Sequence, residues 1–223
     1  MYLTRMYLNP ARRGTRSLVG SPQKMHAAVL SAFPPGTPTE TESGRVLWRL
    51  DVGRTHELTL LISSPAKPDL AHMVEQAGWP TGQDHWQSAP LSRLTDRLET
   101  GQGWAFRLTA NPVRSVAQGS GRGKRVGHVT VQHQLEWLVE RSSEWGFDIG
   151  GRDGPLTADV VSRRGLSFER RSDGDRRQIT LTTATYEGTL TVSDPEPLRR
   201  SMRHGLGRAK GYGCGLLTLA PRP

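Results

Sequence analysis

The first eight residues, MYLTRMYL, alternate apolar and polar side chains with the two-residue period of a strand that buries one face. The segments after this strand narrow the folds open to the chain. NPARRGTR reads as a turn carrying Arg12, Arg13 and Arg16. Ser21 before Pro22 is an N-cap followed by proline at the first helical position, and QKMHAAVLSAF then sets Met25, Val29 and Ala32 at helical spacing until Pro34 and Pro35 stop it. GRVLWRLDVG and HELTLLISS read as two strands joined by a short turn, DLAHMVEQAG as a helix ended by Gly78, and HWQSAPL as a closing strand. The order βαββαβ predicts the ferredoxin-like fold shared by RRM domains.

The second half repeats this order. AFRLTANPVRS reads as a strand, QHQLEWLVERSSEWG as a helix with Leu135, Leu138 and Val139 on one face, and SRRGLSFERRSDGDRRQITLTTATYEGTLTVSD as a long hairpin. DPEPLRRSMRHGLG reads as a helix and GLLTLAP as a last strand. The fold class is therefore α+β, with two tandem ferredoxin-like domains over residues 1–100 and 101–223. SRLTDRLETGQG is the connector. QGSGRGKR, residues 118–125, is too glycine-rich and charged for a core and reads as a mobile basic loop.

Charge separates the two halves. Residues 1–100 hold 11 Lys/Arg against 9 Asp/Glu, net +2, whereas 101–223 hold 19 against 12, net +7. The second half is thus the stronger polyanion binder. The single cysteine, Cys214, excludes an internal disulfide framework and any multi-cysteine zinc site, which fits a reducing compartment. No apolar run long enough to span a bilayer occurs, and MYLTRMYLNP has neither an h-region nor a cleavage site, so the expected location is the cytoplasm, away from membranes.

Several stretches could carry chemistry. HGLGRAKGYGCGLLTLAP is dense in glycine, which brings backbone N–H groups close to a ligand and permits positive φ. It is no dinucleotide fingerprint, since no acidic residue follows at the required distance, and no GK[ST] makes it a P-loop. Two readings stay open. Gly205, Gly207, Gly211 and Gly213, with Arg208 and Lys210, cradle a sugar-phosphate backbone, or the stretch is a tight packed connection.

The hairpin carries Arg163 and Arg164, then Arg170, Arg171, Arg176 and Arg177 around a DG turn, a basic ribbon shaped for a nucleic-acid groove. Arg114, Lys124 and Arg125 extend the basic set. His26 flanks the apolar stripe of the first helix, where a lone histidine is either a half-exposed helix residue or a proton-transfer group. No spacing suits a metal site: His128 and His133, five apart, have no nearby cluster of Asp, Glu or Cys, and the carboxylates are scattered. No metal and no cofactor is expected.

Taken together, MYLTRMYLNP, PQKMHAAVLSAFP, FRLTANPVRS, YEGTLTVSDP and GLGRAKGYGCGLLTLAP, in that order, resemble the CRISPR-associated repeat-RNA endoribonucleases of the CasE type, subunits of type I-E Cascade. The resemblance spans the chain. It implies a CRISPR repeat hairpin as substrate, the other Cascade subunits as partners, and a metal-independent cut at the 3′ base of the stem. In that reaction a 2′-hydroxyl attacks the adjacent phosphate, leaving a 2′,3′-cyclic phosphate and a 5′-hydroxyl. It makes His26 the leading catalytic candidate, as base or acid. Family members often carry tyrosine three residues earlier, where this chain has Gln23, which can orient a ribose or phosphate but cannot move a proton. The competing class is an RRM-like subunit that holds structured RNA without cutting it.

Overall fold

The structure, a computed structural model, describes residues 1–53, 57–81, 85–118, 121–151, 154–172 and 175–222. The elements are β1 (Tyr2–Leu8), α1 (Arg13–Val19), α2 (Pro22–Leu30), β2 (Glu40–Thr41), β3 (Gly44–Arg45), β4 (Leu47–Val52), β5 (Leu58–Ser64), α3 (Ala71–Ala77), β6 (Trp86–Pro90) and α4 (Ser92–Thr95). They continue as β7 (Gly103–Ala110), β8 (Val113–Gln118), β9 (Gly121–Gly127), α5 (Val131–Ser142), β10 (Phe147–Asp148), β11 (Ala158–Ser172), β12 (Asp175–Val192), α6 (Pro195–His204) and β13 (Leu217–Ala220). Two compact units result. One holds Met1–Arg97, Arg203–Gly205 and Lys210–Leu216; the other holds Leu98–Met202, Leu206–Ala209 and Leu217–Pro223. The glycine-rich end, expected wholly in the second domain, is thus shared between them.

In the first unit β4-β5-β1-β6 form an antiparallel sheet in the ferredoxin-like strand order. Thr4, Met6 and Leu8 of β1 are buried while Arg5 and Tyr7 are exposed, the alternation visible in the sequence. Met25 and Val29 of α2 pack with Met6, Leu60, Ile62 and Met73 in one apolar cluster. Each fully buried side chain of this size contributes roughly 1.5–3 kcal/mol. The α2 start is as expected, with the Ser21 hydroxyl accepting from the Lys24 N–H at 3.4 Å and Pro22 at the first turn. The stretch expected as a turn, NPARRGTR, instead runs into α1, because Thr15 and Leu18 are buried on one side and Thr15 Oγ1 donates to the Ala77 carbonyl at 3.1 Å.

The second unit repeats the order with β10-β12-β7-β13, β11 pairing with β12. Its core gathers Phe106, Leu108, Leu138, Phe147, Tyr186, Leu190 and Leu198. Three expectations change here. AFRLTANPVRS is cut into β7 and β8 around Asn111 and Pro112, and proline has no N–H to continue a ladder. The face that α5 buries is Gln134, Trp137 and Leu138, with Leu135 and Val139 only half-buried. Residues 118–125, expected as a mobile loop, belong largely to the antiparallel pair β8–β9, whose register runs from Val113 opposite Gly127 to Val116 opposite Lys124. Backbone pairing asks nothing of side-chain polarity, so composition alone did not exclude a ribbon. The turn at Asp173 and Gly174 lies outside the described residues. No helix among the described residues is long and apolar enough to cross a membrane.

Arg49 of β4 fastens the terminal segment of the first unit to its sheet. It is only 2% exposed, donates through Nε and Nη2 to both carboxylate oxygens of Asp51 at 2.8 and 2.9 Å, and through Nη1 to the Leu216 carbonyl at 2.8 Å. Removing one partner of a buried ion pair strands the other and costs about 3–5 kcal/mol. Arg49→Met is expected to lower unfolding free energy by about 3 kcal/mol in urea titration; a loss under about 0.5 kcal/mol would mean water reaches and satisfies Asp51.

Candidate functional site

Helix α2 turns Met25 and Val29 into the core, which leaves His26 half-buried on its flank. Trp48 of β4, itself buried, donates its indole N–H to His26 Nδ1 at 3.3 Å. An imidazole accepting at Nδ1 carries its proton on Nε2 when neutral, so that bond assigns the tautomer and leaves Nε2 as the nitrogen available to a ligand.

A 3₁₀ turn, Lys210–Tyr212, packs on α2 and β4 and brings the glycine-rich end to the histidine. A Cβ at Gly211 would lie 3.3 Å from His26 Nε2. Gly213, at φ +81°, leaves room for the Trp48 ring, whose Cζ3 would stand 2.8 Å from an added Cβ. Gly205 makes the same kind of close contact with the Leu47 side chain, and Gly207 with the Trp137 ring of the second unit. Gly205, Gly207 and Gly213, three of the four glycines expected to cradle phosphate, thus pack closely on apolar side chains, and Gly211 meets the histidine.

The charges at this place are predominantly positive. Arg45 of β3 stands opposite Glu40 of β2, and its Nη1 pairs with Glu40 Oε2 at 3.2 Å. Burial first, and then the Arg45 guanidinium, hold the His26 pKa below its usual 6.5. Burial and then Arg45 also hold the Lys210 ammonium below its usual 10.5, with Glu40 acting weakly in the other direction. Gln23 is half-buried one turn before His26 on the same helix.

The other expected residues distribute over both units. In the first, Arg13 and Arg16 are exposed, whereas Arg12 donates to the carbonyls of Val74 and Glu75 at 3.0 and 2.6 Å and so caps the end of α3. In the second, Arg114, Arg164 and Arg208 are exposed, and Arg163 donates to the Val129 carbonyl at 2.9 Å. The backbone register sets Arg170 opposite Arg177 and Arg171 opposite Arg176. The side chains of those four, and of Lys124 and Arg125, lie outside what is described. Among the described residues no group of three or more His, Cys, Asp or Glu could hold a metal ion. Cys214 is fully buried with its thiol pushed up to about 12, so it is no nucleophile.

Sequence reasoning did not single out Arg45 or Trp48. β3 is two residues long and has no period to read, and Trp48 has the spacing of an ordinary core residue. A half-buried histidine, its pKa lowered by burial and by Arg45, thus stands on a ferredoxin-like unit against the terminal turn that carries Lys210. The chain belongs to the CRISPR-associated protein family and is of the CasE/Cse3 type: the family model described as CRISPR associated protein matches residues 1–221.

The CRISPR-associated endoribonuclease Cse3 of Thermus thermophilus is 32% identical over 225 residues, 99% of this chain and 100% of that one. The CRISPR system Cascade subunit CasE of Escherichia coli is 29% identical over 133 residues, 56% of this chain and 61% of its own length. The solved structure of Thermus thermophilus Cse3 bound to an RNA representing a pre-cleavage complex is 29% identical, with a TM-score of 0.78 over 99% of this chain and 98% of that one. Two tandem ferredoxin-like domains are the shared fold.

The lowered His26 pKa has a sign that can be checked. Between the folded value and about 6.5 the unfolded chain binds more protons at this residue, so its contribution favours unfolding as pH falls through 6.5 and levels off below the folded pKa. Titration of the His26 ring by NMR is expected to give a midpoint below 6.5, and His26→Gln to flatten part of the acid-side loss of stability. The remaining slope includes His128, whose pKa is also lowered, chiefly by burial. A His26 midpoint at or above 6.5 would contradict burial of the ring beside Arg45.

Proposed function

We propose that this protein is an endoribonuclease that cuts CRISPR repeat hairpins at the 3′ base of the stem and stays bound to the product RNA within Cascade. The carrying observation is the His26 ring: Trp48 occupies Nδ1, Nε2 faces Gly211 of the terminal turn, and the cations Arg45 and Lys210 stand by. Phosphate-ester transfer needs proton exchange at the attacking and leaving oxygens and positive charge where the phosphorane develops. The histidine supplies the first and the arginine and lysine the second, so the cut is proposed to proceed without a metal ion.

In this reaction the 2′-oxygen upstream of the scissile bond forms a bond to phosphorus as the P–O5′ bond breaks. The 2′-hydroxyl proton leaves to a base, and O5′ gains a proton as it departs. Proton exchange by His26 runs through Nε2. In the resting tautomer Nε2–H can donate a hydrogen bond to a phosphate oxygen; protonating O5′ requires the imidazolium and service as a base requires the Nδ1–H tautomer, and either one gives up the Trp48 bond. Gln23, one turn away, orients the ribose or phosphate through its amide.

The basic residues of the second unit are proposed to hold the stem. The backbone register sets Arg170 opposite Arg177 and Arg171 opposite Arg176, so four arginines fall on two adjacent rungs of the β11–β12 hairpin, a density of positive charge suited to an RNA backbone. The same contacts persist after the cut, which accounts for product retention. Replacing all four by alanine is expected to weaken repeat-RNA binding and to reduce its salt dependence; unchanged affinity at moderate salt would remove these residues from the interface.

The functional test is incubation of the full chain with its repeat RNA in EDTA, wild type beside His26→Ala and Gln23→Ala, with end-group analysis. One cut at the stem base with a 2′,3′-cyclic phosphate is expected. It should be lost in His26→Ala by a factor on the order of 10²–10⁴ and reduced far less in Gln23→Ala. Tight binding without scission by the wild type would support instead a non-cleaving RNA-holding subunit, the reading favoured by glutamine at position 23.

A further inference from the structure

We propose that Arg45 is a catalytic residue of this site: its guanidinium binds a non-bridging oxygen of the scissile phosphate and stabilises the phosphorane charge, with Glu40 as its counter-ion at rest. The inference rests on the endoribonuclease reading and adds to it a residue and a role.

Arg45 is presented by the small ribbon β2–β3, whose register sets it directly across from Glu40. The ribbon is anchored on both sides. The Val46 N–H donates to the Thr39 carbonyl at 2.8 Å, and Gly44, at φ +144°, leaves no space for a side chain, since a Cβ there would lie 2.7 Å from the Arg203 carbonyl oxygen and from Met1 Sδ. A guanidinium on such a base has its origin fixed while its fork remains free to aim.

The resting bonds of that fork are incomplete. Nη1 has its ion pair with Glu40, but Nε is buried and has no hydrogen-bond partner among the described residues. A buried N–H without an acceptor is unfavourable and is relieved when an acceptor enters. The Glu40 side chain is 56% exposed, so this ion pair is the weak, solvent-screened kind and exchanges readily for a better anion. Arg45 acts on both His26 and Lys210, lowering each pKa after burial, and Glu40 opposes it on Lys210. An added anion thus meets two cations, Arg45 and Lys210, against the Glu40 carboxylate.

The chemistry of a guanidinium decides the role. Arginine keeps its proton at any working pH, so Arg45 neither takes the 2′-hydroxyl proton nor gives one to O5′; no bond to it forms or breaks. Its planar fork presents parallel N–H groups suited to two phosphate oxygens. Those bonds strengthen as the phosphate gains charge on the way to the phosphorane, which lowers the barrier more than it tightens ground-state binding.

The experiment uses the full chain and a repeat RNA hairpin, comparing wild type, Arg45→Gln, Arg45→Lys and Glu40→Gln. Single-turnover cleavage at saturating protein is measured beside the Kd for the same hairpin carrying a 2′-deoxy nucleotide upstream of the scissile bond. Arg45→Gln is expected to slow cleavage by about 10²–10³ while Kd changes only a few-fold, the size seen when one preorganised donor to a developing oxyanion is removed. Arg45→Lys should recover part of that loss. Glu40→Gln breaks the same ion pair but keeps the guanidinium, and is expected to leave the rate within a few-fold of wild type. The His26 titration midpoint should rise in Arg45→Gln, a change that loss of fold would not give.

Equal rate losses in Arg45→Gln and Glu40→Gln would assign Arg45 a purely structural part and overturn the proposal, as would a loss confined to Kd or a full-speed Arg45→Gln. A wild type that binds without cutting would instead overturn the endoribonuclease reading itself.

Discussion

The buried Arg49 guanidinium is the interaction on which the first unit's site depends. Its two bonds to Asp51 keep it within β4, and its third reaches forward 167 residues in sequence to the Leu216 carbonyl. Strands and helices of a ferredoxin-like unit can close without residues 210–216. Lys210 and Gly211, by contrast, reach His26 only because the terminal segment is laid along β4 and α2. A hydrogen bond to a backbone carbonyl is indifferent to the side chain at that position, so Leu216 itself can serve the apolar core while its peptide group holds the segment in register.

Close packing by itself accounts for two of the terminal glycines. Gly205 and Gly213 both have positive φ and both stand against large side chains, Leu47 and Trp48. Where the chain must pass close to a ring and also turn left-handed, glycine satisfies both demands at once. Ala209, at φ +60°, shows the same left-handed turn carried by a residue with a Cβ, immediately before Lys210. The path of the terminal segment is therefore determined by what it packs on, and the position of the 3₁₀ turn beside His26 results from that path.

The main strand and helix order of the first unit was legible because alternation in β1 and the Ser21–Pro22 start of α2 are local signals that tertiary structure left intact. α1 was not legible. Its seven residues include four polar or charged side chains and a glycine, and only the burial of Thr15 and Leu18 makes them helical. The β8–β9 ribbon escaped for the opposite reason, since its ladder is made by backbone groups while its sequence has the composition of a loop. His26 was visible as a candidate from its place on the helix. Its partners were not: Trp48 reads as core and Arg45 as one arginine among many, and their meeting is a property of the β2–β3 and β4 connections rather than of any spacing along the chain.

The electrostatics of the site arise from that meeting. A histidine alone on a helix flank would titrate near 6.5, and an exposed lysine near 10.5; partial burial beside Arg45 moves both downward. In the proposed complex that effect would be reversed, because the negative charge of a phosphate would offset Arg45 and favour the imidazolium. Burial and the Trp48 N–H oppose that change, since an Nδ1–H would face the indole N–H. Under the proposed function, substrate charge and the Trp48 bond would thus pull the protonation of His26 in opposite directions, with Nε2 the nitrogen through which that balance is expressed.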